Sequence, residues 1–345
     1  MPDRMKPTDA ATVMMHLIAG ASVSHIIRAA AELGLADQFG GGEMDAVSLA
    51  QASGSHAPSL ARLLRTLAAI GIVRETAERR YTLTSLGAVL RSDEPGSMRA
   101  WARFYMNEES DRPWRSLAHA VSTGDNAFHR AFGTDAWTFR STHPEYSALF
   151  DEAMQSFTLS VNQTVAAHYP FDGVRWVVDV GGGNGALLLA ILQQNTDLSG
   201  TVFELPHVAE AAKRHIASAG LESRCEVIAG DALAGVPAGA DIYILKSVIH
   251  GREDAAALTI LRHCRQAMMA QGKLLLIERV LPERIDPDDP GTRSSFISDL
   301  NMMLIPGGLE RTETEYRHLL SDAGLRLRRI VHTPGPSRII EADAM

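Results

Sequence analysis

Residues 175–185 read Arg-Trp-Val-Val-Asp-Val-Gly-Gly-Gly-Asn-Gly, an apolar run that stops in a cluster of glycines. Trp176, Val177, Val178 and Val180 have the bulk and branching of a strand buried on both faces. Glycines let the chain turn sharply there and let a ligand come close to the main chain. Residues 185–193 (GALLLAILQ) then carry the pattern of a buried helix. The alternation continues downstream. Strands are expected at 200–204, 224–228, 241–246 and 273–277, with helices at 208–219 and 254–268 between them. Apolar strands separated by helices mean an α/β fold with a parallel, Rossmann-like sheet covered on both sides. Residues 325–332 and 337–341, around Pro334-Gly335-Pro336, read as a closing antiparallel hairpin.

The glycine loop alone fits two ligands. Gly181, Gly183 and Ala186 satisfy the dinucleotide spacing G-x-G-x-x-A, and Gly181, Gly183 and Gly185 satisfy G-x-G-x-G, the spacing of adenosylmethionine sites. Charge separates them. A dinucleotide would place a pyrophosphate dianion here, yet Asp179 stands two residues before the first glycine. No Lys or Arg occurs between Arg175 and Lys213. S-adenosyl-L-methionine carries a sulfonium and an ammonium, and Asp179 favours that cationic end. Two further acids sit where strands end, and ligands of such sheets bind outside the carboxyl ends of the strands. Glu204 is placed for ribose hydroxyls and Asp231 for the adenine side.

The strand at 241–246 runs into Lys246-Ser247-Val248-Ile249-His250. That position picks His250 from the 13 histidines as a candidate base. An imidazole can take the proton of an attacking hydroxyl if an acceptor orients it. Glu278, at the end of LLLIERV, and Glu310, after Pro306-Gly307-Gly308-Leu309, are the two candidates for that acceptor. His207 belongs to the loop below the cofactor, and His263, inside a helix, reads as structural.

Residues 1–115 form a different region. The stretch 12–31 carries one apolar helical stripe that includes Gly20. A helix at 45–52, a turn at 53–55, a helix at 58–70 and two short strands (72–74 and 80–83) make a winged helix, with Ser85 capping the next helix. Residues 116–165 read as a helical connector whose last helix places Phe150, Met154 and Phe157 on a shared face. The methyl-donor domain is therefore expected to span 116–345, connector included.

Composition removes several function classes. A net charge of −8 argues against broad nucleic-acid binding. No run of 18 apolar residues exists to span a membrane. The N-terminus lacks the order of a secretory signal, and two isolated cysteines fit a reducing cytoplasm. No cluster has metal-ligand spacing, so no metal is expected.

In order along the chain stand VVDVGGGNG (177–185), FELPHV (203–208), GDAL (230–233), LKSVIH (245–250), LLLIERVLPE (274–283) and GGLERTETEY (307–316). Together they resemble the small-molecule, adenosylmethionine-dependent O-methyltransferases of the plant caffeate and chalcone type and their bacterial natural-product relatives. The resemblance implies a seven-stranded class I methyltransferase sheet and an N-terminal winged-helix domain that builds a homodimer and leaves DNA alone. It implies that Gly181, Gly183, Glu204, Leu205, Asp231, Ala232 and Lys246, beside Asp179, hold the cofactor, with S-adenosyl-L-homocysteine as product. His250 would be the base, flanked by Glu278 and Glu310. Asp299, Met302 and Met303, with Phe150, Met154 and Phe157, would line the substrate pocket.

Three departures stand out. The usual His-Asp-Trp is His250-Gly251-Arg252, the apolar residue expected against adenine is Ala232, and Ile305 replaces an Asn before Pro-Gly-Gly. Two other readings remain open at this stage. One is a relative that keeps the cofactor but hydroxylates, decarboxylates or cyclises; the other is a ligand-sensing winged-helix regulator.

Overall fold

The computed structural model describes residues 7–76 and 79–345. They divide into two compact units, one reaching to Asp111 and including Pro144–Phe157, the other made of Arg112–His143 and Thr158–Met345.

The first unit begins with two helices, Pro7–Ile18 and Gly20–Glu32, where the sequence suggests one stripe. Glycine is a poor helix former, and the helix breaks at Ala19, immediately before Gly20. Asp45 caps the helix Ala46–Ser53 by accepting the Val47 and Ser48 N–H groups. The helix Ala57–Ala69 follows, with Pro58 in its first turn. A three-stranded antiparallel wing has β1 (Met44–Asp45), β2 (Val73–Glu75) and β3 (Arg80–Leu83), with β3 in the middle. Thr84, and not Ser85, caps the next helix, because its hydroxyl accepts the Gly87 N–H. Leu49, Leu60, Leu64, Leu67, Val73 and Tyr81 form the core that holds helices and wing together.

In the second unit the expected alternation is present. Its strands are β4 (Trp176–Val180), β5 (Ser199–Glu204), β6 (Cys225–Ala229), β7 (Ile242–Lys246), β8 (Lys273–Leu281), β9 (Arg311–Thr312), β10 (Leu325–His332) and β11 (Ser337–Ala344). Seven of them run in the order β10-β11-β8-β7-β4-β5-β6, and short β9 attaches to β8. The strands from β8 to β6 are parallel; β11 and β10 are antiparallel.

Alternation of side chains explains why the central strands lack a polar face. Val178, Val180, Tyr243, Leu245, Leu274 and Leu276 enter one core. Val177, Ile242, Ile244, Leu275 and Ile277 enter the other. Each strand therefore needs apolar residues at most positions, and the buried Asp179 and Glu278 stand out as exceptions. The order places β4 between β5 and β7, so the turns after β4, β5 and β7 open at one sheet edge.

Candidate functional site

The turn after β4 is shaped by two demands on Gly181. Its φ is +69°, a region that favours glycine, and an added Cβ would lie 2.8 Å from Val248 Cγ2. Gly181 N–H donates to the Phe203 carbonyl at 2.8 Å, joining this turn to the end of β5. Gly183, at φ +59°, has nothing within 4 Å of where a side chain would begin. The loop is thus an open backbone cradle.

Asp179 lies beneath it, 1% exposed, and neither carboxylate oxygen has a hydrogen-bond partner. Burial pushes its pKa up to about 7, with Lys246 pulling down and Glu204 pushing up. A buried carboxylate without donors is costly unless a cation or donor completes it. Glu204 accepts the Gly183 N–H at 2.9 Å on one oxygen and the Leu205 N–H at 2.7 Å on the other. Each oxygen keeps a second lone pair for a hydroxyl donor. Leu205 itself caps the helix Pro206–Ser218 through its carbonyl. Asp231 accepts the Leu233 N–H at 2.9 Å. Ala232 packs on the core, and its carbonyl faces His263 Nδ1 at 2.9 Å. Burial lowers the pKa of Lys246, and the carboxylates of Asp179 and Glu278 oppose that. Carboxylates thus outnumber cations along this edge, an arrangement that suits a cationic ligand with hydroxyls and repels a polyphosphate.

His250 follows directly from β7. Ser247 holds φ +56°, an uncommon backbone for a residue with a side chain and a mark of local strain where the strand turns away. Glu278 stabilises the turn. Its Oε1 accepts the N–H groups of Val248 (3.0 Å), Ile249 (2.8 Å) and His250 (3.4 Å), while its Oε2 lies 3.8 Å from His250 Nδ1. Glu310 is the direct partner, with Oε1 3.1 Å from Nδ1. A proton held at Nδ1 by that carboxylate leaves Nε2 as the accepting nitrogen. Burial alone would lower the imidazole pKa, but Glu278 and then Glu310 outweigh it and raise it to about 9. Burial also pushes Glu278 up; for Glu310 the bond to His250 overcomes burial and holds the carboxyl low. The arrangement is an imidazole made more basic by two carboxylates, one of which also fixes its backbone.

The expected substrate-lining residues fall in both units. Asp299 Oδ1 accepts the Glu310 N–H at 2.9 Å, so that carboxylate braces Glu310. Met302 and Met303 are partly buried on the helix Pro290–Leu304. The Met302 carbonyl accepts the Gly307 and Gly308 N–H groups, which turns the chain toward Glu310. Phe150 and Met154 belong to the first unit, where they pack against Ala100, Phe104 and Ala153. The Phe157 side chain lies outside the described residues.

Sequence reasoning missed several supporting residues. Ser298 donates to Glu310 Oε1 at 2.7 Å, and Arg279 lies 3.7 Å from the same oxygen. His215 Nδ1 lies 3.0 Å from the Asn184 carbonyl and tethers the glycine turn after β4. Their one signal was position beside a motif, as with Ser298 next to Asp299.

Residues 114–326 match the O-methyltransferase domain family, and residues 15–93 match the O-methyltransferase dimerisation domain. A phenazine O-methyltransferase of Lysobacter antibioticus is 38% identical over 334 residues, covering 96% of this chain and 95% of the relative. An O-methyltransferase from neocarzinostatin biosynthesis, solved with S-adenosylmethionine and 2-hydroxy-5-methyl naphthoic acid, is 36% identical. It superposes with a TM-score of 0.79 over 94% of this chain and 96% of its own. Aclacinomycin 10-hydroxylase of Streptomyces purpurascens is 33% identical over 327 residues, 94% of this chain and 87% of its own.

Proposed function

Because the chain belongs to the O-methyltransferase family that joins a dimerisation domain to a methyltransferase domain, we propose that it methylates a hydroxyl of a small aromatic secondary metabolite, using S-adenosyl-L-methionine, with His250 as base. The observation that carries this reading is the 3.1 Å pairing of His250 Nδ1 with Glu310 at the sheet edge where the unpartnered Asp179 carboxylate lies.

When bound, the cofactor supplies a methyl group on a positively charged sulfur, already a good leaving group, and departs as S-adenosyl-L-homocysteine. Asp179, the Gly181–Gly183 backbone, Glu204, Leu205, Asp231, Ala232 and Lys246 are the residues that would hold it. What remains for the protein is to position an acceptor and remove its proton. Positioning is worth up to about 7–11 kcal/mol as effective molarity. His250 Nε2 takes the acceptor's proton, while Glu310 keeps Nδ1 protonated and stabilises the imidazolium. A phenol titrates near about 10; an imidazole raised to about 9 is nearly matched to it. Asp299 supports the base by bracing Glu310, and Met302 and Met303 offer an adaptable apolar surface to a flat acceptor.

The decisive experiment incubates the enzyme with S-adenosyl-L-methionine and a panel of hydroxylated phenazines, naphthoates and benzoates. O-methylation yields one S-adenosyl-L-homocysteine per acceptor that gains a methyl group. The similarity to a hydroxylase and the Gly251-Arg252 pair beside the base support a second reading, hydroxylation on the same scaffold. Run in air with a thiol reductant, which supply the oxygen atom and the two electrons that hydroxylation consumes, the same assay favours that reading and ends the first if an acceptor gains oxygen without stoichiometric S-adenosyl-L-homocysteine.

Glu204→Ala removes the ribose acceptor. Titration calorimetry is expected to give a dissociation constant for S-adenosyl-L-homocysteine weakened by about 10–100-fold, the equivalent of a hydrogen bond to a charged group. An unchanged constant removes Glu204 from that role.

The protein also acts as a homodimer in this reading. The helix Pro7–Ile18 exposes Met14 (56%), Met15 (68%), Leu17 (53%) and Ile18 (72%), an apolar patch on the unit that matches the dimerisation domain. Sedimentation equilibrium is expected to give twice the 37.3 kDa chain mass, and a single-chain species at micromolar concentration contradicts the dimer. A cytoplasmic location accords with two free, buried cysteines, Cys225 and Cys264.

A further inference from the structure

Arg311, the residue after Glu310, is 1% exposed, and each of its five N–H groups has an acceptor within reach. Nε and Nη2 reach Asp254 Oδ1 at 3.3 and 2.7 Å. Nη2 also reaches the Arg252 carbonyl at 3.2 Å, and Nη1 the carbonyls of Ile249 at 3.2 Å and Leu309 at 3.4 Å. Two of those carbonyls bracket His250-Gly251, and the third immediately precedes Glu310. One cation therefore ties together the two chain segments that carry the imidazole and its carboxylate.

We propose that Arg311 is a positioning residue for the reaction, a five-donor clamp that sets the distance between His250 and Glu310. A simple ion pair with Asp254 does not account for it. The Asp254 side chain is 73% exposed and that of Arg311 2%. A guanidinium taken out of water repays its desolvation only when further hydrogen bonds complete it, and the three carbonyls are those bonds. Lysine cannot replace it, since an ammonium directs three donors from one point.

The groups that set the charge on His250 are Glu278 and Arg279 from β8 and Glu310 from the loop before β9. Arg311 is not among them. A substitution that keeps its positive charge thus reaches the imidazole through geometry alone. The inference rests on His250 as the base, but its test reads proton affinity and needs no methyl acceptor, so either idea can fail without the other.

The test is Arg311→Lys in 15N-histidine-labelled protein, with the His250 signals identified by their loss in His250→Gln. The wild-type imidazole is expected to titrate near 9. In folded Arg311→Lys, with His250 and Glu310 drawn apart, it is expected to titrate below about 8. Affinity for S-adenosyl-L-homocysteine is expected to hold within about threefold, since the cofactor-side residues do not touch the clamp. A folded variant whose His250 titration is unchanged overturns the proposal. A scaffold role alone would lower the melting temperature and leave the imidazole titration in place. If Arg311→Lys does not fold, Asp254→Glu decides, because it keeps the charge and displaces the carboxylate that accepts two of the clamp's bonds at an exposed partner. A fall in the same direction supports the clamp, and an unchanged titration overturns it.

Discussion

His250→Ala is expected to lower the single-turnover rate of methyl transfer by about 10²–10⁴-fold, the usual worth of a positioned base. The dissociation constant for S-adenosyl-L-methionine is expected to stay within about threefold, because none of the residues assigned to the cofactor depends on the imidazole side chain. The split follows from the structure. Glu278 hydrogen-bonds the backbone N–H groups of residues 248–250, so removing the ring leaves those bonds and the turn intact. The wild-type enzyme is also expected to show a characteristic pH dependence. The folded imidazole titrates near 9, above the usual 6.5, and only its neutral form can accept a proton. The rate constant kcat/KM therefore rises with pH until about 9, as the proton leaves. At pH 7 about one chain in a hundred carries the neutral base, since each pH unit is a factor of ten. The alanine variant loses this rise. Wild-type turnover in His250→Ala, or a limb that stays near 6.5 in the wild type, refutes the assignment.

Gly308→Ala is expected to destabilise the protein by about 3 kcal/mol, the upper part of the usual range for an overfilled site. A Cβ at this position would lie 2.0 Å from the His250 carbonyl oxygen, 2.6 Å from the Gly251 carbonyl carbon and 2.6 Å from the Arg252 nitrogen. All three are backbone atoms, so no side chain can rotate away. Backbone conformation is not the reason, for among these two glycines only Gly307 has a positive φ (+80°). The change also pushes apart the segments joined by the Leu309 N–H to His250 carbonyl bond of 2.9 Å. Urea denaturation checks the stability, and a loss below about 1 kcal/mol would mean that the loops can separate at little cost.

Much of the second unit was legible because its signals are local. A run such as WVVDV followed by glycines declares a buried strand and a ligand turn within ten residues, and β4 to β8 lie where such runs occur. Asp179, Glu204 and His250 could be chosen because each stands at or just beyond a strand. Other features depend on contacts that no window contains. Asp299 reads as a substrate residue, and its bond to the Glu310 N–H is set by a return of the chain that no local pattern announces. Arg311 reads as one more cation in LERTETEY until its acceptors appear, 57 to 62 positions earlier for all but Leu309. The break at Ala19 and the cap at Thr84 were missed for smaller reasons. Each turns on one residue's conformation, which periodicity does not resolve.

The distribution of these partners along the chain has a consequence for how the protein comes into being. Every side chain assigned to the methyl donor, from Asp179 to Lys246, precedes His250, and every group that orients the imidazole follows it, Glu278 by 28 positions and Glu310 by 60. A ribosome works in that direction. The residues assigned to the reactive alkylating molecule are thus all translated before those that make the imidazole a competent proton acceptor, and the set is complete only once Glu310 has been added.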